Sequence, residues 1–535
     1  MKRLALIPLV VILSAPVAFA AQTAPAKDTR LVEAIKAGNS EAALMLLNCG
    51  APAARSVSAM GCKKRVDVNA AEPDGTTPLH WAVRNDDAPL IERLLKAGAN
   101  AKAENRYGVT PIYLACVNGS AAAVERLLRA GVSANTTGPL GETALMTCAR
   151  TGKVDAARAL IANGAKVDVI EEWHGQTALM WASAQGHADM MRLLIEAGAD
   201  INGRSSVFEW ERQRTLEPRD KWLPPGGLTP LHFAARQGCL DCAKVLVAAG
   251  ADINTVDPDH ISALVSALIN GHYDVAAFLI NSGIDLTLAD KVGRTALYAA
   301  VDDHTMPSSN RPAPKEMDEQ LTSLDVIKLL LDKGAPIDAR LREPIPYRTK
   351  LDRGGDGVLG AGTTPLLRAA KAGDVAVVKM LLEQGADAKV ATRNGVTAVA
   401  MAANVGTREE DMTGRGKTQK QAIEVIKLLK DAGASLEAAD NQGRTPAHGA
   451  ALWGLTDVVK FLADSGARID AKDKRGFTPL HYSLGMAGGL GFDGRTGAIH
   501  EDTAKAIKQL LGIPADAPVE KPAGAPAQTR EDVVN

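Results

Sequence analysis

Residues 229–254 read Thr-Pro-Leu-His-Phe-Ala-Ala-Arg-Gln-Gly-Cys-Leu-Asp-Cys-Ala-Lys-Val-Leu-Val-Ala-Ala-Gly-Ala-Asp-Ile-Asn, and this stretch decides the fold. Thr229 suits a helix N-cap, and Pro230 sits at N1, where it loses no needed donor. The short helix that follows carries Ala234, small enough to let a second helix approach. Gly238 then breaks the chain. The second helix stops at Gly250, in the position of a left-handed C-cap. A polar hairpin closes the unit.

The same unit recurs along the chain. Thr77-Pro78-Leu79-His80 returns as Thr110-Pro111-Ile112-Tyr113, Thr143-Ala144-Leu145-Met146 and Thr177-Ala178-Leu179-Met180. Ser262, Thr295, Thr364, Thr397, Thr445 and Thr478 open the remaining copies. Successive starts lie 33, 33, 34, 52, 33, 33, 69, 33, 48 and 33 residues apart, so each gap is one period or a period plus an insertion. Apolar pairs such as Leu94-Leu95, Leu127-Leu128, Leu194-Ile195 and Leu381-Leu382 mark the second helices. With 46% hydrophobic but only 4% aromatic residues, the core must be built from Ala, Leu and Val. That composition suits thin layers of closely packed helices.

The T-P-L-H-x-A-A-x-x-G…L-L-x-x-G-A-D-x-N pattern resembles the ankyrin repeat. The resemblance covers residues 28–512, with a degenerate N-terminal cap around Leu31 to Gly50. It implies an all-α fold, an ankyrin-repeat solenoid of about 12 helix-turn-helix repeats with short β-hairpin loops, acting as one elongated domain. Insertions interrupt it at 51–66, 203–224, 303–322, 340–361, 406–420 and 485–502. Both readings of these stay open: functional loops on a rigid scaffold, or drift in a tolerant solenoid. Residues 513–535 are Pro/Ala-rich and read as a disordered tail.

The first twenty residues read as a secretory signal. Lys2 and Arg3 form a positive start, Leu4 to Val17 an apolar stretch, and Ala18-Phe19-Ala20 a cleavage site, with 21–27 as a linker. The apolar run is short for a membrane span. The expected mature chain is soluble in an oxidising space, periplasmic or secreted, and a bacterial periplasm fits best. Without Lys2 and Arg3, 59 basic side chains face 62 acidic ones, a net charge near −3. That balance gives no reason to expect nucleic acid or an anionic membrane as partner.

No catalytic residue, metal site or cofactor is expected. His80, His232, His448 and His481 occupy the fourth position of the Thr-Pro-Leu-His turn, where an imidazole locks backbone. His187 and His272 follow the mid-repeat glycine and read as structural. His174, His260, His304 and His500 are scattered, without metal-ligand spacing. The G-x-G-x-x-G strings 355–360 and 489–494 lie in irregular insertions, not in a βαβ unit. Asp302-Asp303 is a carboxylate pair with no pocket implied around it.

Among six cysteines, Cys116 and Cys148 fall at small buried helix positions. Cys49 and Cys62 flank the first insertion, and an exported protein could bridge them or leave them reduced. Cys239 and Cys242 form a C-x-x-C at a helix start, where spacing permits a local disulfide. A thioredoxin-like role would need a βαβ context, so a structural bridge or reduced thiols is the expectation.

The ankyrin resemblance implies partner contacts at hairpin tips and on the inner helix face. The matching positions here are Arg84, Tyr107, Arg150, Trp173, His174, Arg236, Trp453 and Phe477. Trp210 and Trp222 stand in the long hairpin insertion, either exposed as anchors or folded back and buried. Concave positions collect more Arg and Lys than Asp and Glu, which suits an acidic partner. The expectation is a monomeric, non-catalytic adaptor for a protein partner: an inhibitor, chaperone or stress-protection factor for an exported enzyme. The alternatives are a redox-active or hydrolytic enzyme on an ankyrin frame and a secreted virulence factor binding host proteins.

Overall fold

The computed structural model describes residues 28–49, 66–209, 213–214, 220–221, 225–305, 320–345, 358–407, 417–487 and 498–522. The expected signal, its linker, Cys62, Trp210, Trp222 and half or more of each insertion lie outside these residues. The chain divides into two compact units, Met1–Ser133 and Ala134–Asn535.

The N-terminal unit holds three helix pairs. These are α1 (Arg30–Lys36) with α2 (Ser40–Asn48), α3 (Pro78–Arg84) with α4 (Ala88–Lys96), and α5 (Pro111–Asn118) with α6 (Ala121–Arg129). The C-terminal unit holds nine pairs among the described residues. The first two are α7 (Ala144–Thr151) with α8 (Val154–Ala162), and α9 (Ala178–Gln185) with α10 (Ala188–Glu196). A two-residue antiparallel pairing follows, β1 (Gln213–Arg214) with β2 (Asp220–Lys221), in register Gln213 to Lys221. Next come α11 (Pro230–Gln237) with α12 (Leu240–Ala248), α13 (Ala263–Ile269) with α14 (Tyr273–Asn281), and α15 (Ala296–Thr305) with α16 (Ser323–Asp332). The stack ends with α17 (Pro365–Ala372) and α18 (Val375–Glu383), α19 (Ala398–Ala402) and α20 (Gln419–Asp431), α21 (Pro446–Leu452) and α22 (Thr456–Asp464), and α23 (Pro479–Ser483) and α24 (Glu501–Leu510). This is the all-α repeat fold the sequence implies.

Most first helices begin as their sequence dictates, though the Thr110 side chain makes no cap. The Thr143, Thr177, Thr364 and Thr397 side chains accept a first-turn amide, satisfying one of the helix's orphan donors. Where the turn carries histidine, the ring does more. His80 Nδ1 lies 2.8 Å from Thr77 Oγ1, and its Nε2 lies 3.0 Å from Val109 O in the next repeat. His232 reaches Ile261 O, His448 reaches Phe477 O, and His481 reaches Glu520 O at 2.9 Å. Burial favours the uncharged form of three of them: it lowers His80 and His448, and holds His232 down at about 4. Residues 513–522, assigned by composition to a tail, supply the Glu520 carbonyl that His481 uses.

A second set of side chains joins neighbouring repeats. His187 Nε2 bonds Arg150 O at 3.2 Å, and His272 Nε2 bonds Arg236 O at 3.1 Å. His500, which the sequence leaves unassigned, bonds Leu452 O at 3.0 Å in the same way. Lys417 Nζ takes this place toward Lys371 O, and Asn118 Nδ2 toward Arg84 O. Each acceptor ends the first helix of the preceding repeat, where carbonyls lack intrahelical partners.

Second helices face inward along one stripe. Leu90, Ile91 and Leu94 of α4 are buried, as are Val377, Val378 and Leu381 of α18. The hairpins carry isolated bridges such as Val256 to Ser262 and Ala391 to Thr397. They also bond one another in series: Glu172 N donates to Leu140 O, Ser206 N to His174 O, and Lys474 N to Gln442 O. Within each unit the hairpin tips are therefore held in fixed register.

Candidate protein-binding surface

The fourth and seventh residues after each opening Thr lie one turn apart on the first helix. In α3 these are Trp81 and Arg84. The Arg84 guanidinium stands 5.1 Å from the Trp81 ring centre, and Lys36 Nζ stands 4.9 Å from it. Trp81 Nε1 donates to Glu72 Oε2 at 2.7 Å, and Lys36 pairs with Glu72 at 2.9 Å. Beside them Arg106 lies 4.7 Å from the ring of Tyr107, which is 62% exposed. Together with Asp74 and Asn105 these residues line a cavity of about 550 Å³ in the N-terminal unit. The Thr76 amide, helped by Arg106, holds the Asp74 carboxyl below its usual range.

The C-terminal unit repeats the motif. Arg150 lies 5.8 Å from the Trp181 ring and Arg236 lies 5.1 Å from the Phe233 ring. Arg84, Arg150 and Arg236 are exposed. Each guanidinium thus lies against a ring in reach of solvent, which desolvates it cheaply for a carboxylate ligand. The aromatic platforms Trp81, Trp181 and Phe233 escaped the sequence reading. For Trp81 with Arg84 and Phe233 with Arg236 the signal was present, since an aromatic and an arginine three residues apart share a helix face; Arg150 and Trp181 come from neighbouring repeats.

Trp173 is 64% exposed at a hairpin tip, stacked on His174 with centroids 4.3 Å apart. The tip is built on Glu171, another residue the sequence reading missed. Glu171 is 4% exposed, and its carboxylate accepts the amides of Trp173, His174 and Gln176 at 2.6–3.0 Å. An outward indole on a fixed loop is a low-entropy anchor.

One expected contact residue needs correction. Phe477 is buried, 4% exposed, because the hairpin folds its ring against His481 with Arg475 over it. Trp453 is half-buried at the end of α21, with Nε1 shielded from solvent. Arg294 is also buried, bonded to Asp290 at 2.8 Å.

The carboxylates Asp302 and Asp303 lie in a buried polar cluster rather than on a bare helix. Asp302 pairs with Arg368 at 2.7 Å, and both side chains are almost fully buried. Tyr273 donates to Asp303, and His304 contacts Ser323 and Asp374. Asp302 and Arg368 are the seventh and fourth residues after their Thr. An ion pair here fills the positions that Arg150 and Trp181 fill by cation–π contact.

Cys239 and Cys242 are bridged, while Cys116 and Cys148 are free and buried. Cys49 is disulfide-bonded. Among the described residues, no group of three or more His, Cys, Asp or Glu could hold a metal ion, and no helix is long and apolar enough to cross a membrane.

The family model described as ankyrin repeats in three copies matches residues 31–138, 118–205, 231–340 and 418–489, and the single ankyrin-repeat model matches 361–394. This chain belongs to the ankyrin-repeat family. Ankyrin repeats are protein–protein interaction scaffolds, which implies protein partners for this chain. The curated relatives named here match part of this chain. A probable E3 ubiquitin-protein ligase of rice, XBOS33, is 42% identical over 80 residues, covering 15% of each chain. Mouse protein phosphatase 1 regulatory subunit 27 is 41% identical over 71 residues, covering 13% of this chain and 46% of that one. The ankyrin repeat protein nuc-2 of Neurospora crassa is 28% identical over 228 residues, covering 39% of this chain and 19% of that one. The chain thus spans less than half the length of these relatives. The solved ankyrin repeat domain of human ASB11 aligns at 25% identity with a TM-score of 0.38, over 48% of this chain and 98% of that one.

Proposed function

We propose that this ankyrin-repeat protein is a non-catalytic scaffold of the periplasm that holds an acidic segment of an exported enzyme, as its inhibitor, chaperone or protector. The observation that carries the reading is the recurrence of solvent-facing arginine on an aromatic ring at Arg84 with Trp81, Arg150 with Trp181 and Arg236 with Phe233. Arginine and aromatic residues dominate binding energy at protein interfaces. Their charge favours carboxylate-bearing partners and rejects basic ones. Trp173 and Tyr107 add exposed anchors in the two units.

The signal-like N-terminus supports export. The Cys239–Cys242 bridge and the disulfide-bonded Cys49 support an oxidising compartment. The test is cross-linked capture from a periplasmic extract, followed by mass spectrometry. The wild-type chain should retain an exported enzyme that Arg84→Ala/Arg150→Ala/Arg236→Ala and Trp173→Ala lose. An unchanged set of captured proteins in both variants rejects the proposed surface.

A further inference from the structure

Cys239 and Cys242 are joined by a disulfide across the first turn of α12, with Cα atoms 5.2 Å apart. Cys239 is the N-cap, and its Sγ accepts the Cys242 amide at 3.2 Å. The two sulfurs are not equivalent. Cys239 is partly exposed on a turn whose flanks Gln237 and Asp241 are exposed, whereas Cys242 is 0% exposed.

The bridge is not needed to shape this turn. Ten residues after their opening Thr, three other repeats build the same cap without it. Asp87 accepts the Leu90 amide at 2.9 Å, Ser120 the Ala123 amide at 3.2 Å, and Asp374 the Val377 amide at 3.0 Å. In two further repeats the position is held by His187 and His272, which join one repeat to the next. The cysteine pair is therefore chemistry added to a turn that folds without it.

The geometry also sets a direction of attack. An incoming sulfur reaches Cys239 Sγ, because the other sulfur is enclosed. Once freed, the Cys239 sulfur receives the Cys242 N–H and the positive end of α12, which favours the thiolate, the reactive form. We propose that the Cys239–Cys242 bridge is a thiol–disulfide exchange site, at which a cysteine thiol of a bound protein forms a mixed disulfide with Cys239.

The partner's thiolate attacks Cys239 Sγ and a new S–S bond forms. The Cys239–Cys242 bond breaks and its electron pair stays on Cys242 Sγ, which takes up the proton the attacking thiol gave up. Return attack by the Cys242 thiolate restores the bridge and releases the partner. A second thiol on the partner, attacking its own sulfur in the mixed disulfide, instead leaves the partner oxidised to a disulfide and the pair reduced to two thiols. The site needs no oxidant beyond the bridge itself.

The experiment uses the full chain, with glutathione disulfide and dithiothreitol as probes and peptide-resolved mass spectrometry as readout. Cys242→Ser, which frees Cys239, should form the glutathione adduct roughly tenfold or more faster than Cys239→Ser. The wild-type bridge should open in dithiothreitol with the helical circular dichroism unchanged. That second measurement does not depend on either variant folding. Equal adduct rates in two folded variants overturn the proposal, as does a bridge that opens only when the chain unfolds.

Discussion

Gly152 and Gly164 lie in one repeat and both have left-handed backbones, with φ of +69° and +85°. They differ in what surrounds them. A methyl group on Gly164 meets nothing within 4 Å, whereas one on Gly152 would stand 2.8 Å from His187 Nδ1 and 3.0 Å from two ring carbons. An alanine in this backbone region costs about 1 kcal/mol after the gain from a stiffer unfolded chain. Gly164→Ala should therefore cost about 1 kcal/mol. Gly152→Ala must in addition push the His187 ring away and break its bond to Arg150 O. A hydrogen bond of that kind contributes about 1 kcal/mol, and lost ring packing adds to it, giving roughly 2–3 kcal/mol in total. Urea unfolding followed by circular dichroism reads both values, provided the slope is unchanged. In a His187→Ala background the two alanines should cost the same. An excess at Gly152 that persists without the imidazole, or no excess at all, would refute the inter-repeat clamp.

Four more outcomes follow from buried and terminal groups. Burial holds His232 at about 4 against an unfolded value near 6.5, so its part of the stability is present above 6.5 and lost as pH falls toward 4. Between pH 7 and pH 5 that loss is about 2 kcal/mol, and urea unfolding of His232→Gln should lack it. Asp257 acts oppositely: burial pushes it up to about 6, so its part of the stability is lost as pH rises from 3.8 through 6, and Asp257→Asn should remove that slope. Arg368→Leu strands a buried Asp302 carboxylate and should cost about 3–5 kcal/mol, much of it recovered by adding Asp302→Leu; thermal unfolding measures both. Expressed in bacteria, the chain should appear in the periplasmic fraction beginning at Ala21, and intact mass checks this.

The repeat was legible because its signals are local. A Thr cap, a Pro at N1 and a Gly C-cap act within one helix, and the 33-residue period exposes them. The Thr-Pro-Leu-His histidines were legible for the same reason, since Thr77 and His80 are three residues apart. What crosses repeats was not legible. The His500 contact with Leu452 spans 48 residues and the Arg368 contact with Asp302 spans 66, with insertions between. Sequence spacing cannot report such pairs once the period is broken. Phe477 misled because hairpin residues before Thr are expected at the surface, yet this ring folds against His481. Trp81, Trp181 and Phe233 each look like ordinary core residues when read singly; the arginine against each ring shows them as platforms.

In the proposed function, arginine-on-aromatic pairs bind acidic protein segments. Isothermal titration with a poly-glutamate peptide tests it most directly, with poly-lysine as the control. Poly-glutamate should bind the wild-type chain, weaken as salt rises, and lose roughly tenfold or more in affinity to Arg84→Ala/Arg150→Ala/Arg236→Ala. Equal affinity for the two peptides, or an unchanged affinity in the triple variant, would contradict it.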